Sequence, residues 1–430
     1  MRQTGETSNW IAPFFTIWTG QSLSLVGSRI AQFALVWWLT ETTGSATILA
    51  TASMVALIPE ILLAPFSGAL TDRWQRRLVM IFADSLMALA ALWLAFLFWT
   101  GSMQIWYVYV VMTLRAIGNS FHWPAMEAST GMMVPKSQLS RVQGVNQTMR
   151  GALNIIAPPL GALFLDLLPL HQVMMIDVGT AALAITPLLF IPVPQPVRSP
   201  HEANTTVWAD MVSGFRYLVS WRGMMVIIGA VMLLKLALSP AFSLLPLLVS
   251  QHFRGGASDL SLLQAVNGVG VVLGGLVLSV WGGFNRRVFT MLAGIFALGL
   301  SILALGFIPS GFFWLALVSI FILGFMVPMV DGPFMAISQA NVAPEMQGRV
   351  FGVMGSLLSI TSPISLAVAG PISDGLGLQV WYIAAGIICI LIGLVGARIP
   401  SIVNIERENN PTEGKVSKTP ETSLKAKSQA

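Results

Sequence analysis

Gly68 to Arg77 reads GALTDRWQRR, a basic turn with an embedded aspartate, set between two long apolar runs. Crossing a bilayer as a helix takes about 20 predominantly apolar residues. The run before the turn reaches back to Ala46 and the run after it continues to Thr100, so each is long enough. A short arginine-bearing turn between two spans marks the cytoplasmic side, where loops carry the excess of Lys and Arg.

Outward from this turn the same pattern repeats along the chain. Twelve spans are predicted, near 12–39, 46–70, 77–100, 104–127, 139–165 and 171–191, then 223–250, 259–282, 287–307, 312–339, 347–373 and 378–398. Between the sixth and seventh lies a connector that opens with Pro192, Pro194, Pro196 and Pro200. Its second part carries Trp208, Met211, Val212, Phe215, Leu218 and Val219 at helical spacing. That pattern predicts a short amphipathic helix on the membrane surface. The tail from about Ser401 is polar, Lys-bearing and free of aromatics, which predicts disorder. The expected organisation is a six-helix half over 1–191, a cytoplasmic connector over 192–222, a second six-helix half over 223–398 and a disordered cytoplasmic tail over 399–430.

Composition agrees with the spans. Of 430 residues, 55% are hydrophobic and 10% charged, and the mean hydropathy is +0.77. Soluble domains carry about 25% charged residues, so this chain has too little polar surface for a water-soluble globule. An all-α polytopic membrane protein is the class that fits. The lone Cys389 excludes an intramolecular disulfide and a multi-cysteine metal site, and the four His show no ligand spacing. No metal and no cofactor are expected. No signal-peptide pattern precedes the first span, which is expected to serve as its own targeting signal.

The net charge is +5, and its distribution argues against nucleic acid. Of the 23 Lys and Arg, Arg254 alone falls in a loop on the far side, and Arg29, Arg115, Arg150 and Lys235 lie inside spans. All the others, from Arg2 through Arg198 and Arg222 to Arg407 and the tail lysines, fall on the side of GALTDRWQRR. This places both termini and the connector in the cytoplasm. The halves also repeat. PKSQLSRVQGV from Pro135 and PEMQGRVFGV from Pro344 share Arg-Val-x-Gly-Val, and Arg76-Arg77 recurs as Arg286-Arg287, both at an offset of about 210 residues. Two pseudo-symmetric halves related by duplication are expected.

GALTDRWQRR resembles the loop signature of the major facilitator superfamily, Gly-x-Leu-x-Asp-Arg-x-Gly-Arg-Arg between spans two and three. Gly68, Leu70, Asp72, Arg73, Arg76 and Arg77 match, while Gln75 replaces the second Gly. The resemblance implies a conformational latch made of Gly68, Asp72, Arg73, Arg76 and Arg77. Physically, Gly68 allows close helix approach and Asp72 suits a helix N-terminus across the interface. The arginines suit acids or lipid phosphates; a purely topogenic turn is the other reading. LRAIGNSFHWPA in span four, with Arg115, resembles the superfamily's proton-coupled arginine motif. Ala157-Pro158-Pro159-Leu160-Gly161-Ala162, with Gly144 upstream, is similar to its antiporter element, though Leu153 and Ala157 stand for two expected glycines. An ordinary proline kink is the alternative there.

Across nearly the whole chain the pattern is similar to the macrolide-efflux (drug:proton antiporter-3) branch of this superfamily. The supporting stretches are Trp18–Ser22, Leu39-Thr40-Glu41 with Gly44-Ser45-Ala46, Phe121–Ala125 and Gly348-Arg349-Val350. The resemblance implies a monomeric cell-membrane transporter that exports small amphipathic, lipophilic compounds in exchange for protons by alternating access. A siderophore exporter or a lysophospholipid flippase on the same fold remains the alternative. No nucleotide-binding Gly-x-x-x-x-Gly-Lys loop is present, so the energy comes from an ion gradient or the cargo's own. No intramembrane catalytic arrangement is present either.

Charges inside spans sharpen the expectation, because each costs about 2.5–3.5 kcal/mol at a helix centre on insertion scales. At about 1.5 Å per residue, Arg29, Glu60 and Arg115 share a depth within about 7 Å, and Lys235 and Asp331 within about 4 Å. The resemblance implies that spans one, four, seven and ten line a central cavity, placing Arg29, Arg115, Lys235 and Asp331 at or near it. Burial raises a carboxylate's proton affinity and a nearby cation lowers it. Glu60 and Asp331 are therefore the candidate proton carriers, with Arg115 and Lys235 as tuning partners; static ion pairs are the other reading. Asp84 and Asp177 read as structural, pairing near the membrane edges. His122 reads as a gating or titrating group or as a hydrogen-bonded packing residue. Phe14, Phe33, Trp37 and Trp38 line either a lipophilic site or the lipid interface.

Overall fold

The computed structural model describes residues 10–195, 207–343 and 346–406. Arg2, Arg198 and Arg407, Pro196 and Pro200 of the connector and the tail lysines lie outside the described residues. Fifteen α-helices and no strand occur among them. The first six are α1 (Ile11–Thr43), α2 (Ala46–Arg73), α3 (Arg76–Trp99), α4 (Ile105–Met133), α5 (Leu139–Leu167) and α6 (Leu170–Phe190). Then follow α7 (Val207–Ser220), α8 (Arg222–Ser243) and the single turn α9 (Leu245–Leu247). The remainder are α10 (Ala257–Trp281), α11 (Arg287–Phe307), α12 (Phe313–Asn341), α13 (Gln347–Leu376), α14 (Leu378–Gly396) and the short α15 (Pro400–Val403).

Eleven of these helices are long and apolar enough to cross a membrane by length and composition. The twelfth long helix is α4, whose hydropathy is lowered by Arg115, Asn119, His122 and Glu127. In the first half α1 packs on α5 and α6, α3 on α4 and α6, and α2 on α4. In the second half α10 and α11 pack on α12, α11 on α14, and α8 on α13 and α14. The halves meet along two seams, α2 against α13 and α5 against α10. Each seam sets the second long helix of one half against the fifth of the other, as a two-fold repeat requires.

Local chemistry explains the sharp boundaries. Gly44 adopts φ 59°, a left-handed conformation that suits glycine, and its amide caps α1 on the Thr40 carbonyl. Ser45 then caps α2, its hydroxyl accepting from the Ile48 amide. Within the second half, the packing of α10 on α12 depends on close backbone approach: a Cβ at Gly270 or Gly274 would collide with the carbonyl oxygen of Phe321 or Phe325. At the α2–α13 seam between the halves, a Cβ at Gly370 of α13 would sit 2.8 Å from the Cα of Thr47 on α2.

Two boundaries differ from the sequence expectation. The seventh span does not continue to residue 250: α8 stops at Ser243, and the chain passes through α9 into a π-helical turn, Leu248–His252. Pro246 has no amide hydrogen to continue the ladder, so the apolar run is divided. The tail also begins later than expected. Ile402 and Ile405 are fully buried in the core of the second half, with Ser401 and Ile405 against Gly223 of α8. The connector helix is present as α7. Its Gly214 packs against the backbone of Arg349 on α13 and Leu218 is buried, while Val212, Phe215 and Val219 are exposed.

Candidate functional site

Two neighbouring lobes of open space lie within the bundle, with Arg29 and Gln32 of α1 between them. The first lobe, about 460 Å³, is enclosed by α1 to α4 and lined by Gln21, Ser28, Arg29, Glu60, Asp84, Arg115, Asn119 and His122. The second, about 430 Å³, lies between the halves and is lined by Phe33, Gly151, Asn154, Ala157 and Pro158 from the first. Phe242, Leu245, Gln264, Asn267 and Val271 come from the second half. Arg29 and Gln32 border both lobes, so a single turn of α1 divides them. One lobe is rich in charge; the other mixes side-chain amides with apolar surface. That combination suits a bulky amphipathic molecule, with polar groups on one side and hydrocarbon on the other.

The charged lobe contains two separate hydrogen-bonded units. Arg115 ion-pairs with Asp177 of α6, and Asp177 also accepts from the Ser28 hydroxyl at 2.8 Å. Both members are shielded, with side-chain exposures of 16% and 3%. Asp84 accepts from Gln21 Nε2 at 2.9 Å and lies 3.3 Å from His122 Nε2. Glu60 stands apart from both and accepts from Asn119 Nδ2 at 2.6 Å. Arg29, Glu60 and Arg115 therefore line one lobe, but Arg115 is joined to Asp177 rather than to Glu60. Asp84 and Asp177 stand in or against the cavity wall and not at the helix ends. Outside this lobe, Arg150 pairs with Glu127 at 3.2 Å and lies over the Trp123 ring.

Lys235 and Asp331 are exposed and border neither lobe. Their charges are close enough to interact, yet no ion pair at hydrogen-bond distance joins them among the described residues. Pro158 lines the inter-half lobe, and a Cβ at Gly161 would press on the Phe33 ring at 2.8 Å. Gly144 has open space around it. The aromatics of α1 divide: Phe33 and Trp37 are buried against the second half, Phe14 is buried beside Val134 and Val142, and Trp38 packs edge-on against Phe98.

In the Gly68–Arg77 turn, the surroundings of Gly68 and the side chains of Asp72 and Arg73 lie outside the described residues. Arg76 donates to the Ala128 carbonyl at 3.0 Å and to Met132 Sδ near the end of α4, and Arg77 donates to the carbonyls of Leu188 and Leu189 near the end of α6. Arg77 thus answers open carbonyls at a helix C-terminus, where partial negative charge gathers, while Arg76 ties α3 to the last turns of α4. At the opposite end of the bundle the halves are clamped. Asp374 of α13 accepts from Ser45 Oγ at 2.9 Å, the Ala46 amide at 2.7 Å and the Thr47 amide at 3.0 Å. Gln251 donates to the Gly44 carbonyl at 2.6 Å, and Ser258 to Asp166 at 3.3 Å. Beneath them Leu39, Leu49 and Val108 pack with Leu244, Leu247 and Leu378.

Gln21, Asn119 and Asp374 escaped the sequence reading. Asp374 falls one residue beyond the expected eleventh span. Gln21 and Asn119 are uncharged, so a census of intramembrane charges passes over them.

Two repeated halves of membrane-crossing helices around a central polar cavity define a transport protein rather than an enzyme. The chain belongs to the Major Facilitator Superfamily, whose sequence pattern matches residues 17–254 and 227–428. It is 31% identical over 399 residues to Macrolide efflux protein A of Streptococcus pyogenes, covering 93% of this chain and 98% of that protein. To the Multidrug efflux pump Tap of Mycolicibacterium fortuitum it is 26% identical over 399 residues, covering 90% and 95%. Among solved structures, a bacterial homologue of the lysosomal transporter Spinster, inward-facing and unoccupied, superposes with a TM-score of 0.70 at 13% identity, covering 94% of this chain and 98% of that one. The nucleoside transporter NupG superposes at 0.67 with 14% identity, covering 87% and 98%. At such identities these two show the fold alone.

Proposed function

We propose that this transporter exports amphipathic, lipophilic compounds of the macrolide type in exchange for protons, by alternating access. The observation that carries the reading is the end-to-end similarity to Macrolide efflux protein A. The cavities support it: a charged lobe beside an amide-and-apolar lobe between the halves suits a large molecule with a polar substituent. Glu60 and Asp331 are the proposed proton carriers, with Arg29, Arg115 and Lys235 setting their fields. The Gly68–Arg77 turn is the proposed latch, and Gly144, Pro158 and Gly161 the antiporter element. We take the chain as a monomer in the cell membrane with both termini in the cytoplasm, an orientation that the arginine distribution supports.

The test is expression in a bacterial host stripped of its own drug exporters. Macrolide tolerance should rise severalfold over empty vector and collapse when the proton gradient is discharged. Asp331→Asn and Glu60→Gln should each lose that gain while remaining membrane-inserted. Lysolipid uptake measured alongside decides the cargo: uptake without macrolide tolerance would overturn the reading.

A further inference from the structure

Three buried polar side chains of the first half form a unit to which the reading above gives no task. Gln21 on α1 is 4% exposed, Asp84 on α3 1% and His122 on α4 7%. Their hydrogen bonds determine one another. Asp84 accepts from Gln21 Nε2 at 2.9 Å, which leaves the amide oxygen of Gln21 facing the imidazole. His122 Nε2 lies 2.9 Å from that oxygen and 3.3 Å from Asp84 Oδ1. Both neighbours are acceptors, so the neutral ring carries its hydrogen on Nε2. Nδ1 is then the basic nitrogen, and it makes no hydrogen bond among the described residues. His122 and Gln21 border both the charged lobe and a smaller pocket beside Trp18 and Arg150.

We propose that Asp84, His122 and Gln21 form a proton-binding site coupled to the cargo cavity, the proton entering at His122 Nδ1. This rests on the proton-exchange reading above and adds a site to it. With a neutral ring the unit carries one negative charge in a buried place, which is costly. Proton uptake turns the ring into an imidazolium beside the carboxylate, and the unit becomes neutral. The Asp84 carboxylate therefore favours the proton-loaded form against the cost of burying an imidazolium, while screening of the pair by a wetted cavity or arrival of a cationic cargo group favours release. The surrounding charges leave this balance to the unit itself. Arg115 is paired with Asp177 of α6, and Arg150 of α5 with Glu127. Arg29 of α1 and Glu60 of α2 contribute opposite signs across the same lobe.

The test uses purified full-length protein, with radiolabelled erythromycin as probe and affinity measured from about pH 5 to 8, the range in which a histidine titrates. In the parent, affinity should fall as pH drops, by about tenfold per unit for each proton that cargo must displace. Asp84→Asn and His122→Gln should each remove one proton's worth of that slope and of the proton release seen on erythromycin addition. A merely structural role would lower affinity equally at every pH. An unchanged slope in these variants, or a slope lost only in Glu60→Gln, overturns the site. A flat profile in the parent overturns the proton-exchange reading itself. Should the variants misfold, the parent labelled on its four His still decides: erythromycin should deprotonate one ring, and four unchanged rings overturn the proposal.

Discussion

An arginine in the middle of a membrane helix is held there by whatever answers its charge, and for Arg115 that group is Asp177 on α6. Removing one partner of a shielded pair strands the other, which costs about 3–5 kcal/mol, whereas replacing both with apolar groups is often neutral. Asp177→Asn should therefore lower the Tm of the purified protein sharply, and Arg115→Met with Asp177→Leu should recover most of it; additive losses would argue against the pairing. Depth was legible in the sequence, since counting along helices brings Arg29, Glu60 and Arg115 to one level. Partner choice was not, because it depends on how each helix is rotated about its axis. The same count would have linked Gln21, Asp84 and His122, at about 15, 12 and 16 Å from the helix ends on the basic side. Asp84 was read instead as an edge residue.

Among the helices, apolar length alone announced nearly every element, because a span has to be long and apolar whatever it packs against. What sequence conveys poorly is how helices lean on one another. The α10–α12 packing is an instance: Gly270 and Gly274 lie one turn apart and admit the backbone of Phe321 and Phe325, while Gly275 next door faces open space. Gly274→Ala should destabilise the second half by about 1–3 kcal/mol through forced separation of the helices. Gly275→Ala should leave the unfolding midpoint within a degree or so, and equal effects of the two would refute the close approach. The break after Ser243 was missed for a different reason. Hydropathy runs unbroken through Leu244–Val249, and only the backbone geometry set by Pro246 divides it.

At the scale of the whole molecule, the two halves are fastened by Asp374 at the end away from the basic turns. Asp374→Ala should loosen that end. Leu49 is buried in the apolar cluster beneath the clamp, so Leu49→Cys reports the loosening through its rate of reaction with a membrane-impermeant maleimide. The native Cys389 is fully buried and gives little background. Labelling should quicken severalfold in the Asp374→Ala background, and an unchanged rate would show that the clamp does not hold the halves. The duplication foretold two halves, and the basic turn suggested a carboxylate facing a helix N-terminus across the interface at Asp72. No pattern in the chain pointed to Asp374 at the opposite end. That choice of fastener has a thermodynamic character of its own. The amides at the start of α2 have no partner within their helix, so they bond to the carboxylate when the halves close and to water when they part. Neither state leaves a donor stranded in a dry place. Closure trades one set of hydrogen bonds for a nearly equivalent one, so the clamp defines a closed position without making it a deep trap. A carrier that must open and close on every cycle needs a fastener of that reversible kind.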